Sequence, residues 1–440
     1  MIRKSTLLFT LVFTLILATN TNGQWSSANL VSGRSQLSAA SSSTRAIFFG
    51  GIGMITVPPN VADVYNSSNN LWSNASMSKG RTSSAGAGAN TKIAFAGGAD
   101  DWILSVYTNI DIFNIATGTW STSHLSVARD RLAAAAAGTK IVFAGGQFSG
   151  AGQVYNTVDI LETATNFLTT SQLSVARYSL SGAGAGNKVA FAGGIDINGN
   201  YLNTVDIYDV TNGTWMTDTL SIPRGNLTAC SLGDKIYFAG GENASGASKR
   251  IDIYDVVNNT WTIDSLSIAR TNLSSASVGD LVIFAGGGTP TSSTVYKRVD
   301  MLNTVTNTWT IDSMSTARAY AAATSVGNKF MIGGGIPSAV GAPSNTVAIY
   351  TVTSTGLHPE FNNATAFEMM PNPAQNNVSI TINATSENST VEVYNLIGEK
   401  VVEMPIETSL TLDLRNLVKG IYLVKLNSKG ATYTQKLMVD

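Results

Sequence analysis

Short apolar runs, each closed by glycine or by a polar turn, follow one another along most of the chain. In "KIVFAGG" (140–146) the run Ile141 to Ala144 stops at two glycines. In "TVDIYDV" (204–210) apolar and polar positions alternate, so Val205 and Ile207 face one way and Asp206 and Tyr208 the other. The dipeptides Asn198–Gly199 and Asn212–Gly213 supply tight turns. The pattern predicts short antiparallel strands. One stretch resists it: "LAAAAAG" (132–138) sets five alanines in a row, and alanine has the highest intrinsic helix propensity.

A repeat decides the matter. Gly-Gly pairs begin at Gly50, Gly97, Gly145, Gly193, Gly240, Gly286 and Gly333, at spacings of 47, 48, 48, 47, 46 and 47. An arginine stands 16 residues before each pair, or 15 before the last: Arg34, Arg81, Arg129, Arg177, Arg224, Arg270 and Arg318. Nine residues earlier again come Trp25, Trp72, Trp120, Leu168, Trp215, Trp261 and Trp309, Leu168 being the departure. Asp63, Asp111, Asp159, Asp206, Asp252 and Asp300 form a fourth register, which Ala348 ends. On this grid "LAAAAAG" aligns with "LSGAGAG", "LTACSLG", "LSSASVG" and "AAATSVG". Their glycines, serines and β-branched residues weaken a helix, so the alanines are expected to be strand. Small side chains suit an innermost strand where several sheets meet at an axis.

Each unit reads as four strands: the small-residue strand, one like "KIVFAGG", one like "TVDIY" and one containing "GTW". The Gly-Gly pair, the aromatic downstream of it (Tyr208, Tyr254) and the tryptophan resemble kelch repeats, over roughly residues 24 to 352. The resemblance implies a β-propeller, with blades stacked around a channel through apolar faces. Trp25 precedes the first unit, and the last unit ends at "VAIYTV" without a tryptophan. The N-terminal strand is therefore expected to complete the last blade. The fold class expected is all-β, a seven-bladed kelch-type propeller over 24–353 with no open edge.

Charged residues are 12% of the 440, and the formal net charge is −1, which excludes the basic excess that nucleic-acid binding demands. Arg3 and Lys4 precede an apolar run, Leu7 to Ala18, then "TNTNGQ". This reads as a secretory signal peptide over 1–23, cleaved after Gly23, leaving a mature chain with no transmembrane segment. Cys230 is the single cysteine and lies among small residues in "LTACSLG", where it reads as a buried small hydrophobe.

Beyond a linker at 354–366 the repeat stops, and "VSITI" and "TLDL" alternate as in a small antiparallel β-sandwich over 367–440. "PNP" (371–373), "VEVYNLIGEKV" (391–401), "LVKGIYLVKL" (417–426) and the ending "TYTQKLMVD" closely resemble the type A C-terminal sorting domain of the Bacteroidetes type IX secretion system. The resemblance implies a precursor exported by the Sec route, then carried across the outer membrane by the type IX machinery acting on 367–440. The protein would be secreted or held on the cell surface.

The chemistry is sparse. Some kelch-like propellers are copper oxidases or sugar epimerases, but two histidines, His124 and His358, do not supply imidazole-rich copper ligation. No cofactor or metal is expected, and no catalytic residue is assigned. "DINGN" (196–200) resembles the start of a calcium loop but lacks its later glycine and glutamate, and a hairpin turn explains it. The repeated arginines and aspartates fall at the same end of each antiparallel blade, so pairing between them is expected. Ala348 then leaves Arg318 or Arg34 without a carboxylate, free to hold an anionic group near the mouth. Ligand contacts are expected where copies differ: Asp130, Arg131, Tyr178 and Tyr320 after the arginine, Trp102, Tyr201 and Glu242 after the Gly-Gly pair. Aromatics among amides and carboxylates suit sugar stacking or protein contact. The expectation is a binding propeller for an extracellular glycan or protein. The alternative is a metal-free carbohydrate-active enzyme of epimerase or lyase type, using Asp130 or Glu242 with an arginine. Three tripeptides, "DTL" (218–220), "DSL" (264–266) and "DSM" (312–314), resemble the short O-glycosylation acceptor motif of Bacteroidetes.

Overall fold

The computed structural model describes residues 23–54, 58–100, 105–291, 293–352, 367–382, 389–395, 398–428 and 431–439. Residues 1–22 of the expected signal peptide at 1–23, and the linker at 354–366, lie outside them. The chain divides into two compact units between Thr353 and Ser354.

The alanine run is a strand. Ala133–Ala137 pairs antiparallel with Lys140–Ala144, so tertiary pairing overrides helix propensity. Close approach between neighbours explains the small residues. A β-carbon on Gly184 would come within 2.0 Å of the Ala136 carbonyl oxygen on the next first strand.

Among its described residues the first unit contains seven four-stranded antiparallel sheets. Blades 1 to 7 are numbered by their first strands: Ser38–Ser42, Ala85–Ala89, Ala133–Ala137, Ser181–Ala185, Thr228–Leu232, Ser274–Val278 and Ala322–Val326. Each first strand touches that of the next blade, and blade 7 touches blade 1, closing a ring. Blade 7 borrows its outer strand, Gly23–Asn29, which pairs with Thr346–Val352. Trp25 lies opposite Tyr350 there, ring centroids 5.1 Å apart.

Apolar clusters fill the spaces between adjacent blades; that between blades 3 and 4 runs from Val142 and Ile160 to Phe191 and Tyr208. The repeated tryptophans cap these layers from the outer strands. Trp72, Trp120, Trp215 and Trp261 face Tyr65, Phe113, Tyr208 and Tyr254 at 4.9 to 5.2 Å between centroids. Leu168, the departure in blade 3, faces Leu161, so both members of that cross-strand pair are aliphatic. Cys230 is buried in the layer between blades 5 and 6, and burial pushes its thiol up to about 12.

One register differs from the repeat grid. In blade 7 the two left-handed glycines are Gly334 and Gly335, at φ 69° and 86°, whereas Gly333 ends the strand Lys329–Gly333. All seven arginines therefore precede their pair by the same interval. In each pair the second glycine N–H donates to the carbonyl of the next blade's arginine, as Gly98 does to Arg129 (2.9 Å) and Gly335 to Arg34 (2.9 Å). A β-carbon on Gly97 would come within 2.4 Å of that same Arg129 oxygen, so glycine is required by space as well as by φ.

The second unit stacks a three-stranded sheet (Phe367–Met370, Asn377–Ile382, Ser409–Asp413) and a four-stranded one (Lys400–Ile406, Ser389–Tyr394, Gly420–Ser428, Ala431–Val439) around its own core, which includes Val378, Val393, Leu412 and Val424. Among the described residues no helix is long and apolar enough to cross a membrane.

Candidate functional site

The repeated arginines form the frame beneath the mouth. Six make ion pairs inside their own blades: Arg81–Asp111, Arg129–Asp159 and Arg177–Asp206 at 2.7 Å, Arg224–Asp252 at 2.6 Å, and the close pairs Arg34–Asp63 and Arg270–Asp300. Each guanidinium also reaches a second-strand carbonyl, as Arg81 donates to Phe95 O at 3.0 Å and Arg177 to Phe191 O at 3.1 Å. The other carboxylate oxygen accepts the backbone N–H three residues before the arginine, for example Ser78 to Asp111 (2.9 Å) and Ser174 to Asp206 (3.1 Å). Every pair thus ties the segment entering the blade to its second and third strands. Burial lowers the arginine pKa values, and the facing aspartates oppose that shift.

The two arginines expected as ligand contacts belong to this frame. Arg34 is 0% and Arg318 1% exposed, and neither lines the mouth. Asp63 neutralises Arg34. Arg318 is the one whose partner position is Ala348, opposite Ile332 in the register where Asp300 faces Phe284.

Two residues after each arginine the backbone turns left-handed. Gln36, Ser83, Arg131, Ser179, Asn226, Asn272 and Tyr320 have φ between 49° and 54°. The N–H of each donates to the carbonyl of its counterpart in the preceding blade, and Gln36 donates to Tyr320, at 2.9 to 3.2 Å. The seven bonds close on themselves. Left-handed φ is unfavourable for L-residues with a β-carbon, and this hydrogen-bonded hoop offsets that strain. The sequence gives little warning, because Gln, Ser, Arg, Asn and Tyr share no chemistry at this position; only the two asparagines favour such a conformation.

Above the hoop lies a depression of about 510 Å³, with all seven blades contributing to its wall. The next residue of most blades (Leu37, Leu132, Leu180, Leu227 and Leu273) gives it an apolar collar. Polar lining comes from Gln36, Asn226 and Asn272, and aromatic lining from Tyr178 and Tyr320. Arg131 is its single charged residue among the described residues, and it is exposed.

The expected ligand residues separate into three groups. Arg131, Tyr178 and Tyr320 line the depression. Asp130 and Glu242 are buried, at 1% and 9% exposure, and stand behind the lining. Tyr201 is half-buried outside it, and Trp102 lies outside the described residues. Tyr178, Tyr201 and Glu242 meet where blades 4 and 5 adjoin. Ile195 bridges both Tyr178 and Tyr201, while Glu242 Oε1 accepts from Asn226 Nδ2 at 2.8 Å. Burial, then the Glu242 carboxylate and Tyr178, push the Tyr201 phenol above its ordinary value.

The tripeptides resembling glycosylation acceptors have a structural use. Asp218, Asp264 and Asp312 accept the indole N–H of Trp261, Trp309 and Trp25 from the following blade at 2.8 to 2.9 Å.

Comparison with known proteins fits this geometry. Residues 131–335 match the KLHDC2/KLHL20/DRC7 Kelch-repeats domain, and residues 368–440 match the secretion system C-terminal sorting domain. The solved structure of YjhT superposes with a TM-score of 0.52 at 16% identity, covering 62% of this chain and 96% of that one, a likeness of fold. No curated protein matches the chain. A type IX sorting tail implies export to the cell surface or the medium. The chain is a kelch-repeat β-propeller protein with a type IX C-terminal sorting domain.

Proposed function

We propose that the propeller is a binding module that recognises an extracellular glycan or protein at its mouth, after Sec export with removal of 1–23 and type IX transport. One observation carries the reading. A scaffold repeated sevenfold in its arginines and glycines presents a wall that is not repeated: one exposed cation, Arg131, two tyrosines and three amides around about 510 Å³. That volume lies within the ordinary range of ligand pockets, about 300–1,000 Å³. Tyrosine faces stack on sugar rings or apolar side chains, and amides supply paired donors and acceptors. The rigid hoop holds them in place without further ordering on binding.

Residues 24–353 presented to glycan arrays and to extracellular protein fractions are expected to retain a ligand without turning it over. Tyr178→Ala and Tyr320→Ala should each weaken retention about tenfold, the scale of an aromatic contact residue. Retention unchanged in both variants would refute the mouth as the site. The enzyme alternative draws on Glu242, whose Oε2 is buried beside Tyr201 with no hydrogen-bond partner among the described residues. A glycan product that disappears with Glu242→Gln would favour it.

A further inference from the structure

Blade 7 breaks the arginine–aspartate frame at one atom group only. Arg318 is 1% exposed, as deeply buried as its six counterparts, yet Ala348 occupies the position of their aspartates. Its Nη1 donates to Gly334 O and Thr346 O at 2.9 Å, and Nη2 donates to the Thr346 hydroxyl at 2.9 Å. These acceptors are neutral, whereas the other six guanidinia each meet a carboxylate. Nε is without an acceptor among the described residues in all seven arginines and does not set Arg318 apart. Burial brings its pKa down to about 10 with no carboxylate opposing the shift.

A second group shares the gap. In blades 1 to 6 the lost carboxylate's counterpart also accepts a backbone N–H, from Val31, Ser78, Ser126, Ser174, Ser221 or Ser267 at 2.9 to 3.1 Å. The residue in that position before Arg318 is the exposed Ser315, and its N–H lacks the carboxylate that its counterparts meet, since Ala348 has none to give. A buried cation stripped of its counter-charge is costly, whereas a charge that meets an opposite charge and hydrogen-bond donors together is tolerated.

We propose that blade 7 holds a small monovalent anion, of the chloride, bromide or formate class, between the Arg318 guanidinium, the Ser315 N–H and the Ala348 methyl. The ion takes the place of the carboxylate that the other six blades carry in their own sequence. It is a structural ligand, separate from the mouth and independent of what the mouth binds. Size restricts it to one or a few atoms, because only the volume by which aspartate exceeds alanine is freed.

Thermal unfolding of the mature full-length chain tests this, with sodium chloride exchanged for sodium gluconate at constant ionic strength. The wild type is expected to show a saturable rise in midpoint of about 2 °C or more with chloride, as ligand linkage to the folded state requires. Ala348→Asp supplies an internal carboxylate and is expected to show no chloride dependence and the chloride-saturated midpoint throughout. Equal chloride responses in the two proteins would overturn the proposal. Should Ala348→Asp fail to fold, bromide-soaked wild-type crystals decide: an anomalous peak within about 3.5 Å of the Arg318 guanidinium nitrogens supports the site, and its absence overturns it.

Discussion

At the scale of single residues, the buried arginines behave as paired charges in a low-dielectric interior. Removing one partner of such a pair leaves an uncompensated ion, whereas replacing both with apolar groups can be nearly neutral. For Arg177 and Asp206, both within 2% of full burial, Asp206→Ala should lower the unfolding free energy by about 3–5 kcal/mol. The double variant Arg177→Met/Asp206→Leu should recover most of that loss, as read by denaturant titration. Cys230 gives a pH signature. Its thiol lies near 12 in the folded chain against an ordinary 9.0, so the unfolded state releases the proton first. Its contribution to stability is complete below pH 9 and falls as pH rises toward 12. Between pH 8 and pH 10.5 the midpoint of Cys230→Ala should therefore fall less than that of the wild type. Residue patterns carried much of this in advance. An aspartate follows the arginine by 28 to 30 residues in six blades, so pairing was legible. Which arginine lacked a carboxylate was not, because Arg34 and Arg318 flank the joint of the ring and only the strand register assigns Ala348 to Arg318.

At the scale of elements, the outer strands are latched blade to blade by an indole N–H and a carboxylate. Trp261→Phe keeps the ring contact with Tyr254 but removes the 2.8 Å bond to Asp218, at a cost of about 1 kcal/mol measurable by equilibrium unfolding. Strand identity was readable even through five alanines, since their aligned copies carry glycine and serine where a helix would suffer. The exact start of the last Gly-Gly pair was not. Gly333, Gly334 and Gly335 are interchangeable in sequence, and the blade 7 ladder spends Gly333 on strand pairing with Ala322. The hoop two residues past each arginine was equally hidden, being made of backbone atoms that every residue except proline owns.

At the scale of the whole molecule, each unit has its own apolar core, Val378 and Val424 in one and the interblade layers in the other. A chain ending at residue 366 should accordingly keep the unfolding midpoint of the propeller within about 1 °C, as scanning calorimetry would show; a large drop would mean that the two units fold as one. The propeller's closure has a further consequence for how the chain is made. Trp25 and Tyr350 stand side by side in the ring yet are separated by nearly the whole propeller sequence. While the chain is being synthesised, six and three-quarter blades form an arc with two bare rims, and loop closure of that length is slow. Until the ends meet, each rim is complementary to the opposite rim of any other arc. Crowded nascent chains will therefore trade strands between molecules, and dilute ones will close upon themselves.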